Sequence, residues 1–291
     1  MQPSFAQLDG LMHTLYLIPT PIGNLEDITV RALRLLREVR LIAAEDTRHS
    51  RILLDHYQIN TPMISYHEHN KLMRLEQLRE ALAQGDVALI SDAGMPTISD
   101  PGYELVRAAL AFGAKVVPLP GANAALTALA ASGLPTDAFL FVGFPPRRPA
   151  KLRAFFAQYA ALRATLICYE SPNRLVETLR AMHEVFGERQ AVVALELTKL
   201  FESFARAPLS ALIAQFEATP PRGEATVLVA GAPEPQEARW TSAQARAALR
   251  EQLAAGVKRS LAAKRIAAQA NWDRAEVYAL DENAEDDDDA L

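Results

Sequence analysis

Along residues 15–120, short apolar runs alternate with stretches of helical spacing. LYLI (15–18) precedes a loop and a helix near 28–38, and RLIAAE (40–45) precedes a helix near 47–57. MISY (63–66) leads to a helix near 71–84, DVALIS (86–91) to one near 102–111, and KVVPLP (115–120) closes the series. Short β-branched runs, each followed by a helix, predict a parallel sheet covered on both faces. A second series begins after Gly133-Leu134-Pro135. FLFVGF (139–144), TLICYE (165–170), AVVALEL (191–197), FESFAR (201–206) and ATVLVAG (225–231) read as strands at tighter spacing, which predicts a mixed, partly antiparallel sheet.

APEPQEA (232–238) reads as a linker. Three short helices are expected beyond it, capped by Thr241 or Ser242, by Ser260, and by Asp273 with Glu276 completing a capping box. The last two, separated around Asn271, have helix-turn-helix proportions. The chain thus divides into a flexible N-terminus (1–13), an N-terminal α/β domain with the ligand loops (14–124) and a mixed α/β domain (125–231). A linker with a helical unit (232–280) and an acidic, disordered tail (281–291) complete it.

Composition narrows the class. Half of the 291 residues are hydrophobic and 22% are charged, ordinary for a globular protein. No apolar run approaches the roughly 20 residues of a membrane span. Residues 1–14 lack a basic start followed by an apolar stretch, so no signal peptide is expected. Cys168 is the single cysteine, which excludes a disulfide framework and makes the cytoplasm the default location. It falls in a buried strand pattern and reads as core.

The formal charge of −5 conceals a split. Residues 281–291 hold seven acidic groups and no basic one; without them, 30 basic residues face 28 acidic ones. Residues 239–280 carry eight basic side chains against three acidic ones. That unit is either a solvated helical face or a polyanion-binding appendage, with nucleic acid the natural partner.

Candidate chemistry lies in three loops. In a doubly wound sheet ligands bind beyond the carboxyl ends of the strands, where strand order reverses. TPIGNLED (20–27) is a rigid strand-to-helix turn with one glycine, far from the three-glycine dinucleotide fingerprint. SDAGMPTISDPG (91–102) is the most informative. Asp92 suits ribose hydroxyls, Gly94 admits a ligand close to the backbone, and Ile98 suits an adenine or a methionine side chain. Asp100 either faces the ligand or caps the next helix. In LPGANAA (119–125), Asn123 and Ala124 are small enough to let a flat base approach. None of the loops contains Lys or Arg, which disfavours nicotinamide dinucleotides and polyphosphates and favours a sulfonium cofactor.

Nine motifs occur in order: TPIGNLEDIT (20–29), AAEDTR (43–48), YHEHN (66–70), SDAGMPTISDPG (91–102), PGANAA (120–125), GFPP (143–146), YESPNR (169–174), LTKLFE (197–202) and GEATV (223–227). Together they resemble the tetrapyrrole-methylase superfamily. Within it they resemble the bacterial branch that methylates a ribose 2′-hydroxyl of a decoding-centre cytidine in 16S ribosomal RNA. One departure is Met95-Pro96-Thr97, where the family tends to have Thr-Pro-Gly. The resemblance implies two α/β domains with S-adenosylmethionine in the cleft between them, and usually a homodimer. Carried over by motif, its cofactor contacts are Pro21, Gly23, Asp92, Ala93, Gly94, Met95, Ile98, Asn123 and Ala124, with Tyr169, Gly223, Glu224 and Ala225 from the second domain.

Methyl transfer from a sulfonium is an in-line displacement, so alignment supplies much of the effect. A ribose hydroxyl is a poor nucleophile and calls for a base or a polarising cation. Asp100, Glu170 and Lys199 are the candidates, with Glu45 and Asp46 beside Arg48 as alternatives; an ion pair or helix cap is the competing role for each. His67 and His69 have weak spacing for zinc and no third ligand nearby, so no metal is expected. Phosphate contacts are expected from Arg48, Arg51, Arg147, Arg148 and Lys151, and from Lys258, Arg259, Lys264 and Arg265 of the helical unit. The partner expected is 16S ribosomal RNA or the small ribosomal subunit, with the acidic tail competing for the same basic surface. A small-molecule methylase acting on a precorrin-type tetrapyrrole is the main rival, disfavoured by the basic C-terminal unit. A dehydrogenase and a non-catalytic RNA-binding protein are further rivals.

Overall fold

The structure is a computed structural model that describes residues 13–68, 70–234 and 239–281. The expectations for the extreme N-terminus, for His69, for the middle of the linker and for all but the first residue of the acidic tail lie outside the described residues.

Two compact units separate after Ala232. The larger begins with five strands, β1 (Thr14–Leu17), β2 (Leu41–Ala44), β3 (Met63–Ser65), β4 (Val87–Ile90) and β5 (Lys115–Pro118), in spatial order β3-β2-β4-β1-β5. Every pairing is parallel. Successive side chains point to opposite faces, and both faces are buried. Ala88 and Ile90 of β4 join Ile42 and Ala44 of β2 in one core, with α1 (Val30–Glu38) and α2 (Thr47–His56). Val87 and Leu89 join Leu15, Leu17 and Ala43 in the other, with α3 (Lys71–Leu82) and α4 (Tyr103–Ala111). Uninterrupted apolar runs such as VALI result directly from this double coverage.

The second sheet has order β6-β7-β10-β8-β9, built from β6 (Phe139–Phe141), β7 (Thr165–Glu170), β8 (Gln190–Leu195), β9 (Ser203–Pro208) and β10 (Ala225–Val229). Only β6–β7 is parallel; β7–β10, β10–β8 and β8–β9 are antiparallel. Cys168 is fully buried in its main core, beneath α6 (Pro149–Ala157), α7 (Leu175–Phe186) and α8 (Leu209–Ala218). The other face is covered by α5 (Ala124–Ser132), whose Ala125, Ala128 and Leu129 pack on Ile167, Val192 and Leu228. Small alanines let this helix lie close to the sheet. The fold is therefore two α/β halves, as expected.

The smaller unit consists of α9 (Ser242–Ala254), α10 (Arg259–Ala270) and α11 (Arg274–Ala279) around Leu249, Ile266 and Val277. Thr241 caps α9 through a capping box with Gln244, and Asp273 caps α11 with Glu276. Ser260 caps nothing. The helix begins one residue before it, and Lys258 holds the cap position without a side-chain bond. Arg259 donates to the carbonyls of Tyr278 and Leu280, tying that first turn to the end of α11.

Candidate cofactor and active site

Strands β4, β1 and β5 are neighbours, so the three loops beyond their carboxyl ends leave the same sheet edge side by side. Backbone pairing zips two of them together: Thr20 N–H donates to Gly94 O at 3.0 Å and Gly94 N–H to Thr20 O at 2.9 Å. The Thr20 hydroxyl also donates to Ser91 O at 3.0 Å. Gly94 adopts φ +81°, a region glycine enters without penalty. Ile98 N–H then closes a turn on Met95 O at 3.3 Å, with Pro96 and Thr97 at its centre. Thr97 and Ser99 take φ +76° and +67°, rare for residues with a Cβ. In the third loop Asn123 caps α5, its Oδ1 accepting from Leu126 N at 3.0 Å.

These loops and the facing end of the second sheet enclose a cavity of about 390 Å³, within the range of small-molecule sites. Of the expected cofactor residues, Asp92, Ala93, Gly94, Met95, Ile98, Asn123, Ala124, Tyr169, Glu224 and Ala225 line it. So do Asp100, Glu170 and the alternative Glu45, and among the described residues no Lys, Arg or His does. Burial and then the charge of Glu45 push the Asp100 carboxyl up to about 7. Burial also raises Glu45, whose Oε2 accepts from Asp92 N at 3.3 Å. Asp92 Oδ1 in turn accepts from Asp46 N at 3.0 Å, fixing its carboxylate over the loop. Helix α4 leaves Asp100 free for this, because its cap is Gly102 at φ +141° with no side-chain bond.

Glu170 is of a different kind. Its side chain is 1% exposed and lies 3.2 Å from the Arg174 guanidinium. It also accepts from the Thr178 hydroxyl at 2.6 Å and from Ser171 N at 2.8 Å. Arg174 donates onward to Pro146 O at 2.9 Å and, at longer range, to Pro145 O. This carboxylate is consumed in holding loops together. Tyr169 ties β7 to the start of α5, its hydroxyl accepting from Ala125 N at 3.2 Å, two residues beyond the Asn123 cap.

Pro21, Gly23, Gly223 and Lys199 do not line the cavity. Lys199 is held by Glu196 at 3.0 Å and Glu224 at 3.1 Å. The two glycines serve that same turn. A Cβ on Gly23 would come within 2.6 Å of Lys199 Cγ, and one on Gly223 within 2.0 Å of Glu196 Oε1. Asp46 caps α2 and pairs with Arg48, which holds its carboxyl at about 2.

Arg51, Arg147, Arg148 and Lys151 are exposed, and Arg48 is exposed though paired with Asp46 at 2.8 Å. Lys258, Lys264 and Arg265 are exposed on the helical unit, whereas Arg259 is committed to α11. His67 packs its Nε2 at 3.1 Å from Asn70 Nδ2. The cavity also draws on Ile22, Ser99, Phe144, Ser171, Pro172, Leu197 and Thr226, which sequence reasoning does not single out. Phe144 is detectable: a large aromatic between Gly143 and Pro145-Pro146, beyond the end of a strand, has little chance to bury itself.

Residues 14–213 match the family model described as tetrapyrrole (corrin/porphyrin) methylases. The chain is 44% identical over 281 residues to the ribosomal RNA small subunit methyltransferase I of Halalkalibacterium halodurans, covering 95% of this chain and 97% of that protein. A protein of the same name from Bacillus subtilis is 44% identical over 92% of this chain and 93% of its own length. Among solved structures, a uroporphyrin-III C-methyltransferase from Thermus thermophilus complexed with S-adenosylhomocysteine superimposes with a TM-score of 0.54 at 20% identity, over 74% of this chain and 96% of that one. A cobalt precorrin-4 methyltransferase does so with a TM-score of 0.56 at 18% identity, over 75% and 94%. At that distance the two structures speak for the fold alone.

Proposed function

The chain belongs to the tetrapyrrole (corrin/porphyrin) methylases, and from that premise we propose that it is an S-adenosylmethionine-dependent methyltransferase of small-subunit ribosomal RNA, acting on the ribose 2′-hydroxyl of a decoding-centre cytidine. One observation carries the reading: a cavity bounded by Glu45, Asp92 and Asp100 with no basic lining among the described residues, in a chain 44% identical to rRNA methyltransferases over nearly its whole length.

The residues fit the cofactor. A nucleoside bearing one positive charge needs a carboxylate for its ribose, backbone approach and apolar walls; Asp92, the Gly94 backbone, and Met95, Ile98 and Leu197 supply them. Anionic lining stabilises the cation without a phosphate-type nest. When bound, S-adenosylmethionine supplies an electrophilic methyl group. Asp100 takes the proton that the 2′-hydroxyl gives up, and its value of about 7 suits a base working near neutrality. Tyr169 fixes the start of α5, and the Glu170–Arg174 pair ties the end of β7 to the Pro145–Pro146 turn. Arg147, Arg148 and Lys151 contact phosphates, and the helical unit adds Lys258, Lys264 and Arg265. The family resemblance supports a homodimer, and an rRNA substrate supports a cytoplasmic location. Among the described residues, no helix is long and apolar enough to cross a membrane.

The test is incubation of labelled cofactor with small ribosomal subunits lacking the modification. Label recovered as 2′-O-methylcytidine is the expected outcome. Label in a tetrapyrrole extract, with none in RNA, overturns the proposal in favour of a precorrin-type substrate.

A further inference from the structure

Phe144 stands at the cavity wall and is 61% exposed. Folding does not account for that placement, since burying a phenylalanine is favourable by a few kcal/mol, roughly 1.5–3. The ring is nevertheless firmly set. It meets Tyr169 edge-on at 5.5 Å between centroids, and Phe141 backs Tyr169 at 4.7 Å. Tyr169 N–H donates to Gly143 O at 2.9 Å. On the other side, Pro145 is buried and Arg174 grips the Pro145 and Pro146 carbonyls, itself neutralised by buried Glu170. The backbone on both flanks of the ring is therefore pinned while one aromatic face is left open.

Three residues further along the chain come Arg147 and then Arg148, both exposed, their side chains without a hydrogen bond or ion pair among the described residues. A rigid open ring at the mouth of a cavity, with two uncommitted guanidinium groups beside it in the chain, matches how proteins take single-stranded RNA. Unstacked bases lie on aromatic faces while cations track the phosphates.

We propose that Phe144 is the stacking platform for the nucleobase whose ribose is methylated, with Arg147 and Arg148 gripping the adjoining phosphates. This rests on the RNA reading above and names the substrate side of that site. A base that has left its stack gains a new partner on the ring, and its ribose is thereby presented to the carboxylate-lined cavity. The methyl chemistry itself does not involve the ring, so Phe144 is a positioning residue.

Three variants test it. Phe144→Ala should raise the KM for unmodified small subunits roughly ten- to a hundredfold, the range of one base-stacking contact, with kcat changed far less. Its affinity for S-adenosylhomocysteine by calorimetry should match that of the wild type. Phe144→Tyr should restore the KM. Phe144→Trp, titrated with a short single-stranded oligoribonucleotide containing cytidine in the presence of S-adenosylhomocysteine, should show emission quenching beyond that of the wild type, whose Trp240 and Trp272 supply the background. Because the ring is mostly exposed, all three should fold, and their melting temperatures check this. An unchanged KM in Phe144→Ala, or quenching no greater than background, overturns the platform. A loss of S-adenosylhomocysteine affinity parallel to the rise in KM also overturns it, assigning the ring to the cofactor. If the wild type itself labels no RNA, the RNA reading falls and the platform with it; a labelling wild type with an unaltered Phe144→Ala sinks the platform alone.

Discussion

The two halves of residues 13–232 both bring carboxylates to the cavity, but they use them in opposite ways. In the first half, Glu45, Asp92 and Asp100 come from loops after parallel strands and line one cavity, and burial, then the charge of Glu45, pushes Asp100 up to about 7. In the second, Glu170 lies at the end of β7 with Arg174 four residues on, a hydroxyl and a backbone amide all directed at it. The first arrangement keeps like charges close and waits for a positive ligand. The second is complete without one. A carboxylate at a strand end is thus ambiguous until its counter-charge is located.

The sharpest break of this comparison is Asp100→Asn. If Asp100 is the proton acceptor, kcat/KM should fall by roughly two to four orders of magnitude. The wild-type profile of kcat/KM should rise with pH until about 7 and then level, since only the ionised carboxylate accepts a proton, and the variant should lose that limb. Stability runs the other way. The carboxyl titrates higher folded than its ordinary 3.8, so ionisation opposes folding, and the empty wild type should lose stability as pH rises from about 4 to 7. Asp100→Asn should therefore melt higher than wild type at pH 8 and about equally at pH 4. An identical pH–rate limb in the variant would return the role of base to Glu45.

The second half is tested next. Arg174→Ala leaves Glu170 buried without its cation, and removal of one partner of a buried pair costs about 3–5 kcal/mol. Urea denaturation at neutral pH should show this loss, and adding Glu170→Gln should recover part of it by removing the stranded charge. Glu170→Gln alone should keep the wild-type pH–rate limb. If it instead flattens that limb as Asp100→Asn does, the division between chemical and structural carboxylates fails.

Much of this organisation is legible in the chain. The five parallel strands announce themselves because a doubly covered sheet demands continuous apolar runs, and the loops after β1, β4 and β5 stand out by their Pro, Gly and Asp content. The second sheet is legible as mixed, since FESFAR, AVVALEL and ATVLVAG lie too close together for crossover helices between all of them. Strand ends shift by one or two residues; β6 stops at Phe141 because the chain turns at Gly143, φ +66°. Helix α8 (Leu209–Ala218) goes unmarked, its LSALIAQFEA run having no capping side chain at Pro208. Long-range partners are the main blind spot. YESPNR contains both Glu170 and Arg174, yet only the fold shows that Thr178 and the Pro145–Pro146 carbonyls complete their network. Gly23 and Gly223 look like ligand contacts in the sequence, whereas each makes room for the turn that carries Glu196 and Lys199.

The smallest effect concerns the one motif position that departs from the family pattern. Met95-Pro96-Thr97-Ile98 forms a turn with Pro first and a positive φ second, the layout of a type II turn, which favours glycine at that second position. Thr97 holds φ +76° there, at a cost of about 1–2 kcal/mol for a residue with a Cβ. Two terms offset it. Glycine would loosen the unfolded chain by about 0.5–1 kcal/mol relative to alanine, and the Thr97 methyl lies where a Cβ on Gly102 would otherwise come within 2.7 Å. The balance predicts that Thr97→Gly raises stability by about 0–1 kcal/mol, while Thr97→Ala, which keeps the strained Cβ and loses the methyl contact, lowers it. Thermal melts of the two variants against wild type decide this. If Thr97→Ala proves more stable than Thr97→Gly, the freedom glycine adds to the unfolded chain outweighs backbone strain at this turn; if both variants melt below wild type, packing of the Thr97 methyl beside Leu89 and Gly102 governs the loop instead.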